Sequence, residues 1–206
     1  MTFERVDLSE DVTLGFRTPW RSRVFSTVYN RRNRSRSKSN WRYNLKVTIE
    51  NPMGIEWAQR ARRRCGATRD ETPLQLWRER HSVIYAVIFW IDIEGISERV
   101  HTHLVRSHVG YVPWVTSQRP DRGGVSGLRD MSIMCNAEAL INLARKRLCR
   151  HAWSETQEVV LAIREEVRKL QPELAELMQP SCVWERGCRE KHSCGYYQGQ
   201  RLAGDQ

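Results

Sequence analysis

The chain has 206 residues, 40% apolar and 28% charged, with a formal net charge of +10. It is long enough for one globular domain with a proper core. It shows neither the roughly 18-residue apolar run of a membrane helix nor a secretory h-region, so a cytoplasmic protein is expected.

Residues 1–30 read as loop or short strand. Asn30 to Asn40 is a basic, Ser-rich run without apolar residues, expected to form a mobile loop, either solubilising or touching phosphate. Trp41 to Glu50 alternates like a strand, and Asn51-Pro52-Met53-Gly54 is a turn. Ile55 to Arg64 places Ile55, Ala58 and Ala61 at helical spacing. Thr72-Pro73-Leu74-Gln75 combines a cap, a first-turn proline and a capping-box glutamine, which sends Leu74, Leu76, Trp77, His81 and Ile84 inward. Val87 to Ile93 is apolar and β-branched enough for a buried strand, which Glu94-Gly95 should break.

Ser97 can then cap a helix carrying Val100, Leu104 and Val105 inward and His101, His103, Arg106 and His108 around it. Pro120 to Arg129, with three glycines, reads as a flexible loop. Met131 to Ala152 is expected to be a long helix through Leu140, Ala144 and Leu148. Another helix should start at a Ser154/Gln157 capping box and run through Val160, Ile163, Val167 and Leu170. Pro172 to Met178 is a short helix, and a polar tail follows. The expectation is an α+β fold, with one domain over 1–180 and a Cys-rich tail over 181–206.

The positive charge calls for an anionic partner such as a nucleotide, a phosphorylated cofactor or nucleic acid. Arg106, Ser117, Arg119 and Arg147 are candidate phosphate holders, because guanidinium donates two parallel hydrogen bonds to oxyanions. Asn136 and Asn142 sit in a helical pattern that asparagine mildly disfavours, and their amides could read the imide edge of a flavin or pyrimidine. Cys182, Cys188, His192 and Cys194 supply ligands enough for a tetrahedral zinc site, at unusual spacing. There is no Walker loop, dinucleotide fingerprint or nucleophile elbow. An enzyme built on this chain would leave the hard step to a cofactor.

The order of these residues resembles that of the flavin-dependent thymidylate synthases. The family pattern F-x-x-x-I-E-G-x-S meets Phe89 to Ser97, FWIDIEGIS; its Q-L-V-R-H-R meets His103-Leu104-Val105-Arg106-Ser107-His108; and its S-x-R meets Ser117-Gln118-Arg119. Downstream, N-x-R-S-L-x-N/H-F meets Asn136 to Leu143, NAEALINL, followed by Arg147-Leu148. The departures are Ser107 and His108 in the triplet, His103 for glutamine, Pro120 for tyrosine, Glu138 for arginine and Trp153 for glutamine. A Cys-rich ending goes with divergent, phage-type relatives.

The resemblance implies a central antiparallel or mixed sheet with long C-terminal helices, in a homotetramer with shared sites. It implies FAD, methylenetetrahydrofolate and NADPH acting on C5 of a pyrimidine deoxynucleotide monophosphate, without a protein nucleophile. Methylation of dUMP leads, with hydroxymethylation or dCMP as variants. By position, Arg106, Ser107, His108, Asn136 and Asn142 would meet the cofactor, and His103, Ser117, Gln118, Arg119 and Arg147 the substrate. The rival expectation is a basic nucleic-acid-binding protein with a zinc-bound tail.

Overall fold

The computed structural model describes residues 25–29, 45–106, 109–115 and 127–197. Five strands form one antiparallel sheet: β1 (Phe25–Tyr29), β2 (Leu45–Met53), β3 (Ile88–Ser97), β4 (Tyr111–Val115) and β5 (Leu128–Asn136). Their order is β1-β2-β3-β5-β4, so β5 enters between β3 and β4.

The sheet's inner face follows from alternation. Register aligns Val47 with Ile93 and Met131, Ile49 with Ile91 and Ile133, and Phe89 with Cys135 and Tyr111. All nine side chains are buried. A strand turns every second residue to the same face, so these rows are contiguous apolar bands. The opposite face carries Trp90, Asp92, Trp114 and Ser132. Trp90 and Trp114 stack with centroids 5.0 Å apart, while Asp92 accepts hydrogen bonds from Trp90 Nε1 at 3.0 Å and Ser132 Oγ at 2.5 Å.

Helices cover the inner face. They are α1 (Ile55–Arg64), α2 (Pro73–Glu79), α3 (Glu98–Val105), α4 (Ala137–Arg147), α5 (Ser154–Leu170), α6 (Pro172–Leu177) and a single turn α7 (Ser181–Trp184). A 3₁₀ turn, Ser82–Ala86, leads into β3. Helix α5 lies against β1 and β2, α4 and α3 against β5, and α6 bridges α5 and α2. Val160, Ile163 and Val167 on α5 and Leu140, Ile141 and Ala144 on α4 are buried as their periodicity predicts.

The Thr72 capping box forms as expected, with Gln75 N donating to Thr72 Oγ1 at 3.3 Å and Thr72 N to Gln75 Oε1 at 3.2 Å. Elsewhere the elements differ from the reading above. Met131 to Asn136 is strand, not helix, because Met131, Ile133 and Cys135 alternate and pair on both sides; the helical period begins only at Ala137. Leu128 and Arg129 belong to that strand as well. Glu94-Gly95 does not end β3, since Gly95 takes φ 76° and the register shifts there as a bulge. Ser154 does not cap α5; Trp153 holds that position, and Gln157 Nε2 donates to Ala152 O at 2.6 Å. His81 is exposed, because Arg80 turns left-handed at φ 51° and ends α2 before it. The basic 30–40 run, the 41–44 start of the expected strand and 116–126 lie outside the described residues.

Candidate functional site

The site gathers where α3 ends, β4 begins and α4 ends. Ser97 caps α3, accepting from Val100 N at 3.4 Å and donating to Glu155 Oε2 at 2.8 Å. Six residues further on, His103 Nδ1 shares a 2.9 Å hydrogen bond with the buried Thr156 hydroxyl. These two contacts fasten α3 to the first turn of α5. They aim the backbone carbonyl of His103 at α4, where Arg147 Nη2 donates to it at 2.7 Å.

Arg147 is held half-buried, and its Nε is buried with no partner among the described residues. Burial first, then the neighbouring Arg106 guanidinium, press its pKa below the usual arginine range, and Tyr111 opposes them. Tyr111 is buried, and its hydroxyl likewise has no partner. Burial pushes that hydroxyl's pKa up and keeps it protonated. A buried donor left without an acceptor costs about 1–3 kcal/mol. Arg147 and Tyr111 thus each carry a buried donor without a partner among the described residues, and the exposed Arg106 acts on Arg147 electrostatically. His103 is neutral near pH 7, since burial, then Arg147, Arg106 and Arg99, lower its pKa. Such a spot can bind an oxyanion.

The asparagines are occupied differently. Asn136 is the N-cap of α4, its Oδ1 accepting from Ala139 N at 2.8 Å. Its amide packs on Gly110, which takes φ 65° and whose carbonyl accepts from Asn136 N at 2.9 Å. Asn142 Nδ2 donates to Glu138 Oε1 at 3.0 Å, and Asn142 Oδ1 accepts from Arg80 Nη2 at 3.1 Å. Arg80 grips Glu138 through both Nε, at 2.9 Å, and Nη2. It also lies 5.3 Å from the Trp184 ring centroid. The carboxylate standing where the family pattern has arginine thus brings its own cation from the end of α2.

Of the residues singled out in sequence, Arg106, His103 and Arg147 come together, with Asn136 one strand pairing away from Tyr111. Ser107, His108, Ser117, Gln118 and Arg119 lie outside the described residues. Sequence reasoning missed Tyr111, Arg80 and Thr156. Only Arg80 left a signal: a glutamate at an expected arginine position implies a cation nearby.

The tail folds back on the α4–α5 turn. His151 Nε2 lies 2.8 Å from His192 O, and Arg150 stacks on Tyr196 at 4.9 Å. Burial, then Cys188, Cys149 and Cys194, raise the Cys182 pKa. The thiol neighbourhood therefore includes Cys149, while His192 enters the fold through its backbone. All four thiols are free, and among the described residues no group of three or more Cys, His, Asp or Glu side chains is placed to hold a metal. That includes Cys182, Cys188, His192 and Cys194. A cavity of about 470 Å³ lies apart from the donor spot, on the outer face of the sheet, with Lys46, Asp92, Trp114, Asp130 and Ser132 in its lining.

No protein-family model matches the sequence. No curated protein sequence matches it either. Solved structures do. A UMP/dUMP methylase, PolB from Streptomyces cacaoi, bound with 5-Br dUMP, aligns over 66% of this chain and 95% of its own, at 15% identity and a TM-score of 0.55. The flavin-dependent thymidylate synthase ThyX from Helicobacter pylori, complexed with FAD and dUMP, aligns over 61% of this chain and 95% of its own, at 15% identity and a TM-score of 0.52. The chain is similar to both in fold: an antiparallel sheet covered by helices, as in flavin-dependent thymidylate synthases.

Proposed function

We propose that this chain is an enzyme that transfers a one-carbon unit to C5 of a pyrimidine deoxynucleotide monophosphate, with dUMP methylation the leading reaction. One observation carries the reading. On a fold shared with a dUMP methylase and a thymidylate synthase, Arg147 is half-buried beside Arg106 with an unpartnered Nε. A guanidinium partly desolvated next to another cation is stabilised by an anion that completes it.

The chain's own groups bind and orient. Arg147, fixed by the His103 carbonyl, would hold the nucleotide. Ser117, Gln118 and Arg119 would reach the phosphate from the segment after β4. His103, neutral, would accept or donate a hydrogen bond without adding charge. Arg106 is an exposed cation beside this spot and fits a flavin phosphate, with Ser107 and His108 next to it in the chain. FAD, when bound, would supply the reducing equivalents between NADPH and the methylenetetrahydrofolate-derived carbon. Asn136, which caps α4, and Asn142, which bridges Arg80 and Glu138, would meet the flavin as the sequence pattern implies.

A homotetramer with shared sites is part of the reading, supported by the exposed Val112, Trp114, Val115 and Met134 along the β4–β5 edge. The decisive experiment incubates purified protein with dUMP tritiated at C5, methylenetetrahydrofolate, FAD and NADPH. Tritium release into water together with dTMP formation is the expected result. If dUMP neither binds nor exchanges at C5, with FAD present or absent, the reading fails.

A further inference from the structure

One row of the sheet's outer face crosses four strands. Thr48 on β2, Asp92 on β3, Ser132 on β5 and Trp114 on β4 are successive cross-strand partners. All four line the cavity of about 470 Å³, which falls within the ~300–1,000 Å³ of small-molecule pockets. Two of the four are held in place. Asp92 accepts from Trp90 Nε1 and Ser132 Oγ on a single oxygen, Oδ1. Its Oδ2 has no partner among the described residues and is not sealed from solvent. Stacking on Trp90 orients the Trp114 indole, and that residue stays 45% exposed. The charged groups of the lining are three carboxylates, Asp92, Glu94 and Asp130, against one cation, Lys46, which is paired with Glu94. The chain as a whole carries a net charge of +10. The cavity is therefore an acidic, aromatic hollow on a basic protein, unsuited to the anions that Arg106 and Arg147 attract.

Such a lining selects its guest. A carboxylate oxygen without a partner is best met by a charged donor. An exposed indole attracts the same cation through its ring face. A guanidinium fork would need both oxygens of Asp92, and Oδ1 is already taken twice, whereas a single ammonium needs only Oδ2. We propose that this cavity binds a small organic ammonium ion, its N–H donated to Asp92 Oδ2 and its apolar body against Trp114. The site is separate from the nucleotide site and does not rest on it.

The test titrates the full chain, followed by ligand-observed NMR, with phenethylamine, its neutral counterpart phenethyl alcohol and its anionic counterpart phenylacetate. The amine should bind about tenfold tighter than the alcohol, the scale of one charge-assisted hydrogen bond, and phenylacetate should not displace it. Asp92→Asn keeps an Oδ1 acceptor for Trp90 and Ser132 and should remove the preference for the amine. Trp114→Leu should weaken amine binding by about threefold, the scale of an exposed cation–π contact. Urea unfolding and sedimentation of each ligand-free variant separate loss of the site from loss of fold or assembly. Equal affinity for amine and alcohol, an undiminished preference in Asp92→Asn, or displacement of the amine by phenylacetate would each overturn the proposal. So would the absence of any binding, the result expected if a second copy of the chain fills the cavity. The contrast between amine and alcohol needs no variant, so it decides the matter even if Asp92→Asn fails to fold. No nucleotide takes part, so this reading and the nucleotide reading can fall separately.

Discussion

Arg147 shows how one side chain can be structural and ligand-binding at once. Its Nη2 ties α4 to the His103 carbonyl, while its Nε has no acceptor among the described residues. Arg147→Ala should weaken nucleotide binding by about 1.5–3 kcal/mol, the worth of a charged hydrogen bond, read by calorimetry; unaltered affinity would return Arg147 to a purely structural role. The histidines set the pH response. His101 and His103 both titrate below their ordinary value of 6.5, the first through burial and Arg129, the second through burial and three arginines. The unfolded chain therefore binds more protons as pH falls below that value, so stability is full above about pH 6.5 and declines below it. Urea midpoints should drop from about pH 7.5 to about pH 5, and His103→Gln should flatten part of the drop. A midpoint that rises on acidification would contradict the assignment.

Elements were legible where one periodicity ran unopposed. Helix α5 could be read directly from Val160-Ile163-Val167, while strand β3 was legible as the apolar run up to Ile93 but not in its continuation through the Gly95 bulge to Ser97. Strand β5 was hidden because Met131, Ile133 and Cys135 run without a break into the helical Ala137 to Ala144, so apolar density looked continuous across the change of period. The cationic half of the site was legible as Arg106 and Arg147, since arginine outside an apolar face stands out. Tyr111 was not, because a buried tyrosine in a strand looks like core until its hydroxyl is seen to lack a partner. Two contacts between elements can be weighed. The Arg80–Glu138 pair joins α2 to α4 with side chains 21% and 13% exposed, so Glu138→Ala should cost about 1.5–3 kcal/mol. The Arg80→Ala, Glu138→Ala double variant should cost less than the sum of the singles, by about 0.5–3 kcal/mol of coupling. Gly110 takes φ 65°, and a Cβ there would meet the Asn136 side chain. Gly110→Ala should thus lose about 2 kcal/mol through backbone strain and a displaced cap, measured by urea unfolding; a neutral substitution would mean that β4 can shift freely against α4.

At the scale of the whole molecule, the outer face of the sheet is uncovered along β4 among the described residues, where Val112 and Trp114 are exposed beside Met134 of β5. An apolar edge of this kind favours association. The protein should sediment as an oligomer, and Trp114→Glu should shift it toward smaller species; a parent that is monomeric at micromolar concentration would remove the basis for shared sites. The strand order has a further consequence for synthesis on the ribosome. Strand β5 lies between β3 and β4, yet it is made after both, and 30 residues separate Ser97 at the end of β3 from Leu128 at the start of β5. At ~5–20 residues per second, β3 therefore waits a few seconds with its open edge unpaired. During that interval the apolar Ile88–Ser97 segment of one nascent chain can pair with that of another, so yield in cells should respond to translation rate and chaperone supply more than the finished fold would indicate.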